Sequence, residues 1–377
     1  MPSDGPNREY TLRYPRRIVA RGIVKGLGRL VLPIAFRIQV SGRENFPRRG
    51  PLLVVGNHTA AMEAVLMAVY TPWQVEFLGT GDIPQELVTE MAGRFLGYIH
   101  IRRGRMERGP MTQALGVLKQ GGVLGVFPEG GIWEPGARRP HAGVAWLSYR
   151  TGAPVLPIAF GGTPGALGAA LRLERPRMTM HVGQVMPAAS LPQGKARKVY
   201  LEGFAEQVMD AVYALLPPDD PARQVQFLDE RFELELVVHE ADGAPLDFPA
   251  SLNIRHRHAL VKFLHRPAIL KIFRKNLDLP VEALQDLAHE RDAGRIADAT
   301  QAVLDYLENE NPFLLTYRFG PKEGEATQKG LQELRALARW AVTSNASLTV
   351  TPIRRYRKSD GGEEIVQVEQ GTFEGWM

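Results

Sequence analysis

Short apolar runs alternate with helical patterns along residues 36–216, and this alternation restricts the fold more than any other feature. Helical patterns such as residues 59–70 and PMTQALGVLKQGG separate most of the runs. Strands without a polar face, joined by helices, predict an α/β domain with a mixed, largely parallel sheet that helices cover on both faces. The predicted strands are FRIQVSG, PLLVVGNH, VEFLGTG, GYIHIRR, VLGVF, PVLPIAF and MTMHVGQV.

The stretch LPPDDPARQ marks a domain boundary, because its prolines and acids interrupt the alternating pattern near residues 217–221. Residues 222–377 then predict a C-terminal α+β unit with helices over 281–308 and 325–343 and a terminal hairpin around Asp360. The stretch 151–171 is uncharged, but its five Gly and three Pro favour strand and loop over a membrane-spanning helix. The sequence does not indicate a role for residues 222–377.

The N-terminal segment, residues 1–35, predicts a basic amphipathic helix over residues 15–32. Such a helix is typical of a membrane interface, where salt screens its attraction to anionic lipid. The alternative is a surface helix that packs its apolar stripe on the core. The basic face is Arg17, Arg21, Lys25 and Arg29, and the neighbouring apolar stripe is Ile23, Leu27, Leu30 and Val31.

Composition excludes several kinds of chemistry. The chain has no cysteine, so disulfides, thiolate catalysis and cysteine-ligated metals are ruled out. The net charge is +5, and residues 1–50 carry eleven Arg and Lys against three acids. An anionic membrane surface is the favoured partner, because no nucleic-acid-binding signature is present. No signal-peptide pattern and no metal site are predicted.

His58 follows the buried strand PLLVVGNH directly, and Glu63 comes five residues later in a helical pattern. Residues five apart on a helix lie about 140° apart, so the two side chains meet only if His58 precedes the helix. In that position His58 is a candidate general base, and Glu63 is the acid that fixes its tautomer. The alternative is a solvent-facing histidine near an unrelated helix carboxylate.

Arg103 and Glu129 are also predicted at the carboxyl ends of strands, where open α/β sheets bind their ligands. The guanidinium of Arg103 suits a phosphate, which it binds through two parallel hydrogen bonds. Glu129 is a candidate to order substrate hydroxyls or to hold Arg103 in place. Taken singly, each residue is better explained without a function, as a surface arginine and a turn glutamate.

These residues in this order resemble the glycerolipid acyltransferases, the family of lysophosphatidate and glycerol-phosphate acyltransferases. The family's N-H-x4-D block corresponds to Asn57-His58-x4-Glu63, after the lead-in GRENFPRRGP. Its second block, a strand that ends in arginine, corresponds to Gly97–Arg103. Its F-P-E-G-T-R-S block corresponds to FPEGGIW from Phe127, and its V-P-I strand corresponds to Leu156-Pro157-Ile158.

The resemblance implies direct acyl transfer without an acyl-enzyme or cofactor. His58, oriented by Glu63, would deprotonate a lipid hydroxyl that attacks the thioester of acyl-CoA or acyl carrier protein. The default acceptor is lysophosphatidate, and the implied location is cytoplasmic, on the inner face of the membrane. The implied acceptor-binding residues are Asn57, Arg103, Glu129 and Gly130.

The sequence departs from the family pattern at two functional blocks. Glu63 replaces the usual aspartate, and residues 131–133 replace Thr-Arg-Ser, which removes a cation and two hydroxyls. Two alternatives therefore stay open. One is an acyltransferase for a glycolipid or another lipid alcohol, with Trp133 stacking on a sugar. The other is an inactive relative that binds acyl lipid.

Overall fold

The computed structural model describes residues 12–80, 97–101, 108–129, 140–191, 196–218, 220, 227–358 and 363–368. Described residues up to Asp220 fall in one compact unit, and those from Phe227 onward fall in a second. The predicted helix ELVTEMAGRFL and the tip of the predicted C-terminal hairpin lie outside the described residues. Within the described part of the chain, no helix is both long enough and apolar enough to span a bilayer.

The first unit is built on a seven-stranded sheet with the order β1-β7-β6-β2-β5-β3-β4. All neighbouring pairs are parallel except β6 and β7, which are antiparallel. The predicted mixed, largely parallel sheet is therefore confirmed. The strands are β1 (Arg37–Ser41), β2 (Leu52–Gly56), β3 (Val75–Thr80), β4 (Tyr98–Ile101), β5 (Val123–Val126), β6 (Val155–Gly161) and β7 (Arg177–Val182).

Helices cover both faces of this sheet, as the fully buried central strands require. Leu53 and Val55 of β2 belong to one core cluster, and Leu52 and Val54 belong to the cluster on the opposite face. One correction concerns residues 151–171, where a short helix, α5, follows β6 instead of a loop. The helices of this unit are α1 (Ile18–Ala35), α2 (Met62–Tyr70), α3 (Arg108–Lys119), α4 (Gly143–Thr151), α5 (Ala166–Leu171) and α6 (Arg197–Ala214).

Helix α1 turns its cations toward the protein. The Arg21 guanidinium is buried and pairs with the fully buried Glu76 at 2.6 Å. Lys25 donates to the carbonyl oxygen of Trp73, and Arg29 donates to that of Val69, at the C-terminal end of α2. Burial, with a smaller effect of Arg29, lowers the pKa of Lys25 to about 8.

The apolar stripe of α1 consequently faces outward. Val19 is 74% exposed, Leu30 is 70% exposed and Ile34 is 69% exposed. The alternative in which this stripe packs on the core is therefore wrong. The basic face is only partly buried, because Arg21 pairs with the buried Glu76 whereas Arg17 and Arg29 are exposed. The other members of the stripe, Ile23, Leu27 and Val31, are exposed as well. Ile18, Val19 and Ile34 are further exposed apolar residues of α1.

The second unit combines a three-stranded antiparallel sheet, ordered β10-β9-β8, with helices. The predicted helix over 281–308 is two helices, because Asp292 caps a new helix with two hydrogen bonds to its first turn. The elements are β8 (Phe227–His239), α7 (Arg257–Leu264), α8 (Pro267–Leu277), α9 (Glu282–Gln285), α10 (Ala293–Asn309), α11 (Leu314–Phe319), α12 (Pro321–Thr343), β9 (Ser347–Lys358) and β10 (Ile365–Gln367).

We expect His265 to make the stability of the second unit dependent on pH. The side chain is buried, and its Nε2 lies 3.1 Å from the carbonyl oxygen of Pro352. Burial lowers the pKa of His265 from 6.5 to about 4. As the pH falls from 6.5 toward 4, the unfolded chain binds a proton that the folded ring does not. We expect the free energy of unfolding to fall by up to about 3 kcal/mol over this range.

Thermal unfolding measured at a series of pH values tests this expectation. His265→Gln removes the titrating ring, so its melting temperature should fall less steeply on acidification than that of the wild type. His289→Gln, at a side chain that is 61% exposed, serves as the matched control and should behave like the wild type. Equal acid sensitivity of the His265 variant and the wild type would contradict the assignment.

Candidate functional site

Three neighbouring parallel strands, β6, β2 and β5, end at the same edge of the sheet. Each delivers a polar residue just beyond its last residue: Thr163 after β6, His58 after β2 and Glu129 after β5. The carboxyl ends of parallel strands form the usual ligand-binding edge of an open α/β sheet. Strand order therefore brings together residues that are separated by 71 to 100 positions in the chain.

His58 lies in the turn between β2 and α2, as predicted. Its Nδ1 is 3.4 Å from Oε2 of Glu63, and its ring stacks on Phe127 with centroids 4.3 Å apart. The side chain is 18% exposed, and within the described part of the chain its Nε2 has no hydrogen-bond partner. The stacking and the Nδ1 contact fix the ring, so Nε2 is the nitrogen that can accept a proton.

Gly56, the last residue of β2, makes room for this arrangement. A Cβ atom at this position would lie 2.7 Å from the ring of Phe160 and 3.2 Å from that of Phe127. Any larger residue would therefore force the Phe160 ring to shift and would crowd Phe127, on which His58 stacks.

Glu63 is fully buried in the first turn of α2, where the helix dipole favours a negative charge. Its Oε1 accepts hydrogen bonds from the hydroxyls of Thr59, at 2.6 Å, and Thr163, at 2.5 Å. The backbone N–H groups of Thr59 and Ala60 also donate to Oε1, and that of Ala60 reaches Oε2 as well. The second oxygen, Oε2, is thereby directed toward His58.

These contacts keep Glu63 ionised despite its burial. Burial alone would raise the pKa of Glu63, since it penalises the charged form. The hydrogen bond and charge of His58, followed by the hydroxyls of Thr163 and Thr59, instead hold that pKa below its usual value. The carboxylate can therefore orient the imidazole and stabilise the imidazolium that forms when His58 accepts a proton.

Glu129 is buried and connects His58 to helix α6. Its Oε2 accepts from the backbone N–H of His58 at 3.0 Å, and its Oε1 accepts from the phenol of Tyr213. Asn57 is fully buried, and both ends of its amide bond the backbone of Phe160 on β6. Both residues thus hold the backbone around His58 from neighbouring elements.

Arg103 and Gly130, the other two residues predicted for acceptor binding, lie outside the described residues, as does Trp133. Sequence reasoning missed Thr59, Thr163 and Tyr213. Thr163 follows the buried strand PVLPIAF, so the strand-end argument that selected His58 and Glu129 could have found it. Tyr213 lies in the middle of a helical pattern and offers no such signal. Among the described residues, no cluster of three or more His, Asp or Glu could hold a metal ion.

Comparison with known proteins shows what the segment that carries the site is similar to. The sequence model of the Acyltransferase family matches residues 37–161, the segment that carries His58, Glu63 and Glu129. A 1-acyl-sn-glycerol-3-phosphate acyltransferase of Borreliella burgdorferi is 25% identical over 130 residues, which cover 34% of this chain and 52% of that protein. The match thus spans about half the length of this curated relative.

Among solved structures, the 1-acyl-sn-glycerophosphate (LPA) acyltransferase PlsC of Thermotoga maritima aligns with a TM-score of 0.39 and 20% identity. The alignment covers 55% of this chain and 83% of that one. The family match and the curated relative agree with the blocks that surround the site. Residues 37–161, which carry His58, Glu63 and Glu129, are therefore similar to the Acyltransferase family.

Proposed function

We propose that this protein transfers a fatty acyl chain from a thioester, acyl-CoA or acyl carrier protein, to a hydroxyl of a lysophospholipid-like acceptor, by default lysophosphatidate. The observation that carries this proposal is the contact between His58 Nδ1 and a carboxylate that its neighbours keep ionised. This arrangement leaves Nε2 of His58 as a base at the ligand-binding edge of the sheet. The curated relative from Borreliella is named for the same class of acceptor.

In the proposed reaction, Nε2 of His58 accepts the proton of the acceptor hydroxyl as its oxygen attacks the thioester carbonyl. The tetrahedral intermediate then expels the thiolate, which takes the proton from the imidazolium and leaves as a thiol. The products are the new ester and free CoA or carrier-protein thiol. The donor is a substrate, so the reaction requires no further cofactor, and the chain has no cysteine that could carry the acyl group.

The remaining predicted site residues divide into two proposed roles. Glu129 and Asn57 position the turn that carries His58, because their side chains bond the backbone of that turn and of Phe160. Arg103 and Gly130 belong to the proposed acceptor site, where a guanidinium would bind a phosphate. The altered residues 131–133 support the second candidate acceptor, a glycolipid or other lipid alcohol.

A labelled acyl-CoA or acyl carrier protein, offered with lysophosphatidate, other lysophospholipids and a glycolipid, tests the function. We expect transfer to lysophosphatidate. Arg103→Lys should then raise KM several-fold for phosphorylated acceptors and much less for acceptors without phosphate, because lysine cannot form the two parallel hydrogen bonds. Transfer to the glycolipid alone would favour the second acceptor class. Lipid binding without transfer to any acceptor would favour the inactive relative.

We further propose that the protein works on the inner, cytoplasmic face of a membrane and that α1 contacts the lipid through its apolar stripe. The apolar stripe of α1 is exposed, and Arg21 and Lys25 on the neighbouring face bond the protein. Leu171 and Leu173, which are 79% and 87% exposed, extend this apolar surface. Their segment lies at the end of α1, where Arg175 donates to the carbonyl oxygen of Pro33.

Binding to phospholipid vesicles tests this orientation of α1. Leu27→Ser with Leu30→Ser should weaken binding by roughly tenfold or more, since each leucine loses apolar surface transferred into lipid. High salt should weaken binding less than these substitutions do, because Arg21 is already paired with Glu76 and the stripe enters lipid without charge. Val199→Ser on α6, at a side chain that is 69% exposed, is the matched control and should bind like the wild type. Binding that salt abolishes would show that charge dominates instead.

A further inference from the structure

We propose that Thr163 is a positioning residue for acyl transfer, whose hydroxyl holds the Glu63 carboxylate in the orientation that serves His58. This inference rests on the proposed function. Thr163 is fully buried just beyond β6, and its Oγ1 donates to Oε1 of Glu63 at 2.5 Å. It lies outside the segment that the family model matches, which ends at residue 161.

The hydroxyls of Thr59 and Thr163 together form a clamp on one oxygen of Glu63. They approach each other to 3.1 Å, and both lie within 2.6 Å of Oε1. Each hydroxyl has a single proton to donate, and both protons are best placed on the carboxylate. The clamp therefore requires the atom at the Oε1 position to accept hydrogen bonds. Either oxygen of an ionised carboxylate meets this requirement.

The clamp also accounts for a glutamate at a position where the family has aspartate. Glutamate has one more rotatable bond than aspartate, and its carboxylate must lose that freedom to face His58 in a single orientation. Oε1 is fixed by donors from two directions: Thr59 and Ala60 lie in the turn before α2, and Thr163 reaches it from β6. With Oε1 fixed, Oε2 stays beside Nδ1 of His58.

Thr163→Val tests this role, because valine keeps the shape of threonine and loses the hydroxyl. We expect kcat to fall about tenfold, the usual effect of losing one hydrogen bond to a charged group, with little change in KM for the donor. Thr163→Ser should restore most of the activity. Thr71→Val is the matched control: this threonine is also fully buried in the same unit, but its hydroxyl donates to the Met67 carbonyl oxygen at the end of α2.

A double-mutant cycle separates positioning from general stability. If Thr163 acts through Glu63, Thr163→Val should lower kcat further by less than twofold in the Glu63→Gln background. Equal losses in both backgrounds would overturn the proposal, as would a Thr71→Val variant that loses as much activity as Thr163→Val. If the valine variant fails to fold, Thr163→Ala is used in its place.

Carboxyl ¹³C NMR of labelled glutamate supplies a readout that does not depend on turnover. The Glu63 signal is assigned by its absence in Glu63→Gln. Its pKa should rise in Thr163→Val, because the lost hydroxyl stabilises the charged form. If the pKa of Glu63 rises in Thr163→Val but the wild type transfers no acyl chain, the proposed function is rejected and the clamp is kept. An unchanged pKa with full activity of Thr163→Val would reject the clamp and keep the function.

Discussion

His58→Ala abolishes acyl transfer while the protein stays folded: this is the largest effect that we expect from a single substitution. Loss of a general base alone typically lowers the rate by about 10²–10⁴. The contribution of His58 to packing is limited, because its side chain is 18% exposed and makes one ring stack, on Phe127. Glu63 keeps the donors of Thr59, Ala60 and Thr163 in the variant, so its buried charge remains compensated.

Turnover, far-UV circular dichroism and melting temperature of the purified variant provide the measurement. His181→Ala is the matched control, since His181 lies in β7 of the same sheet and bonds Ser41 at 2.8 Å. This control should lose little activity. Turnover by His58→Ala within a few-fold of the wild type would reject His58 as the base.

Glu63→Gln should give the second-largest effect, a fall in kcat of about 10²–10⁴ with little change in donor affinity. The clamp explains why. Hydroxyl and N–H donors converge on Oε1, so the amide oxygen must occupy that position. The NH₂ group then faces Nδ1 of His58 as a donor and leaves the ring proton on Nε2. A histidine in that tautomer cannot accept a proton from the acceptor hydroxyl.

Glu63→Asp keeps the charge and restores the residue that the family usually has, but its carboxylate is one methylene shorter. The aspartate carboxylate can keep its hydrogen bonds to the turn before α2, or it can reach Thr163. It cannot make both sets of hydrogen bonds at the distances that glutamate allows. We expect activity between those of the wild type and Glu63→Gln. Equal turnover by Glu63→Gln and the wild type would show that Glu63 is an ordinary helix carboxylate and would favour the inactive, lipid-binding relative.

Local sequence patterns predicted the sheet and the position of His58 because those features depend on neighbouring residues. An apolar run such as PLLVVG forms a buried strand almost wherever it lies in a domain, and the residue after it reaches the strand end. The same argument placed Glu129 at a strand end, and the structure places its Oε2 3.0 Å from the backbone nitrogen of His58. It did not reveal that Glu129 bonds the His58 backbone and Tyr213, because no pattern near Glu129 indicates helix α6.

The N-terminal helix shows where local patterns mislead. The four-residue spacing of Arg21, Lys25 and Arg29 defines a basic face but not the direction in which that face points. Cations usually face solvent, yet Arg21 is buried against Glu76, and carbonyl oxygens at the end of α2 accept from Lys25 and Arg29. Those partners lie 40 or more positions further along the chain, so the helix's own sequence does not contain them.

The alternation of strands and helices, the turn that carries His58 and the family blocks can be read from the sequence, because each depends on residues close together in the chain. The position of β6 beside β2 cannot, nor can the contacts that follow from it, of Thr163 with Glu63 and of Asn57 with Phe160. The orientation of α1 likewise depends on the folded domain. Strand order and helix orientation follow from the packing of the whole domain, where contacts between residues about 100 positions apart outweigh local preference.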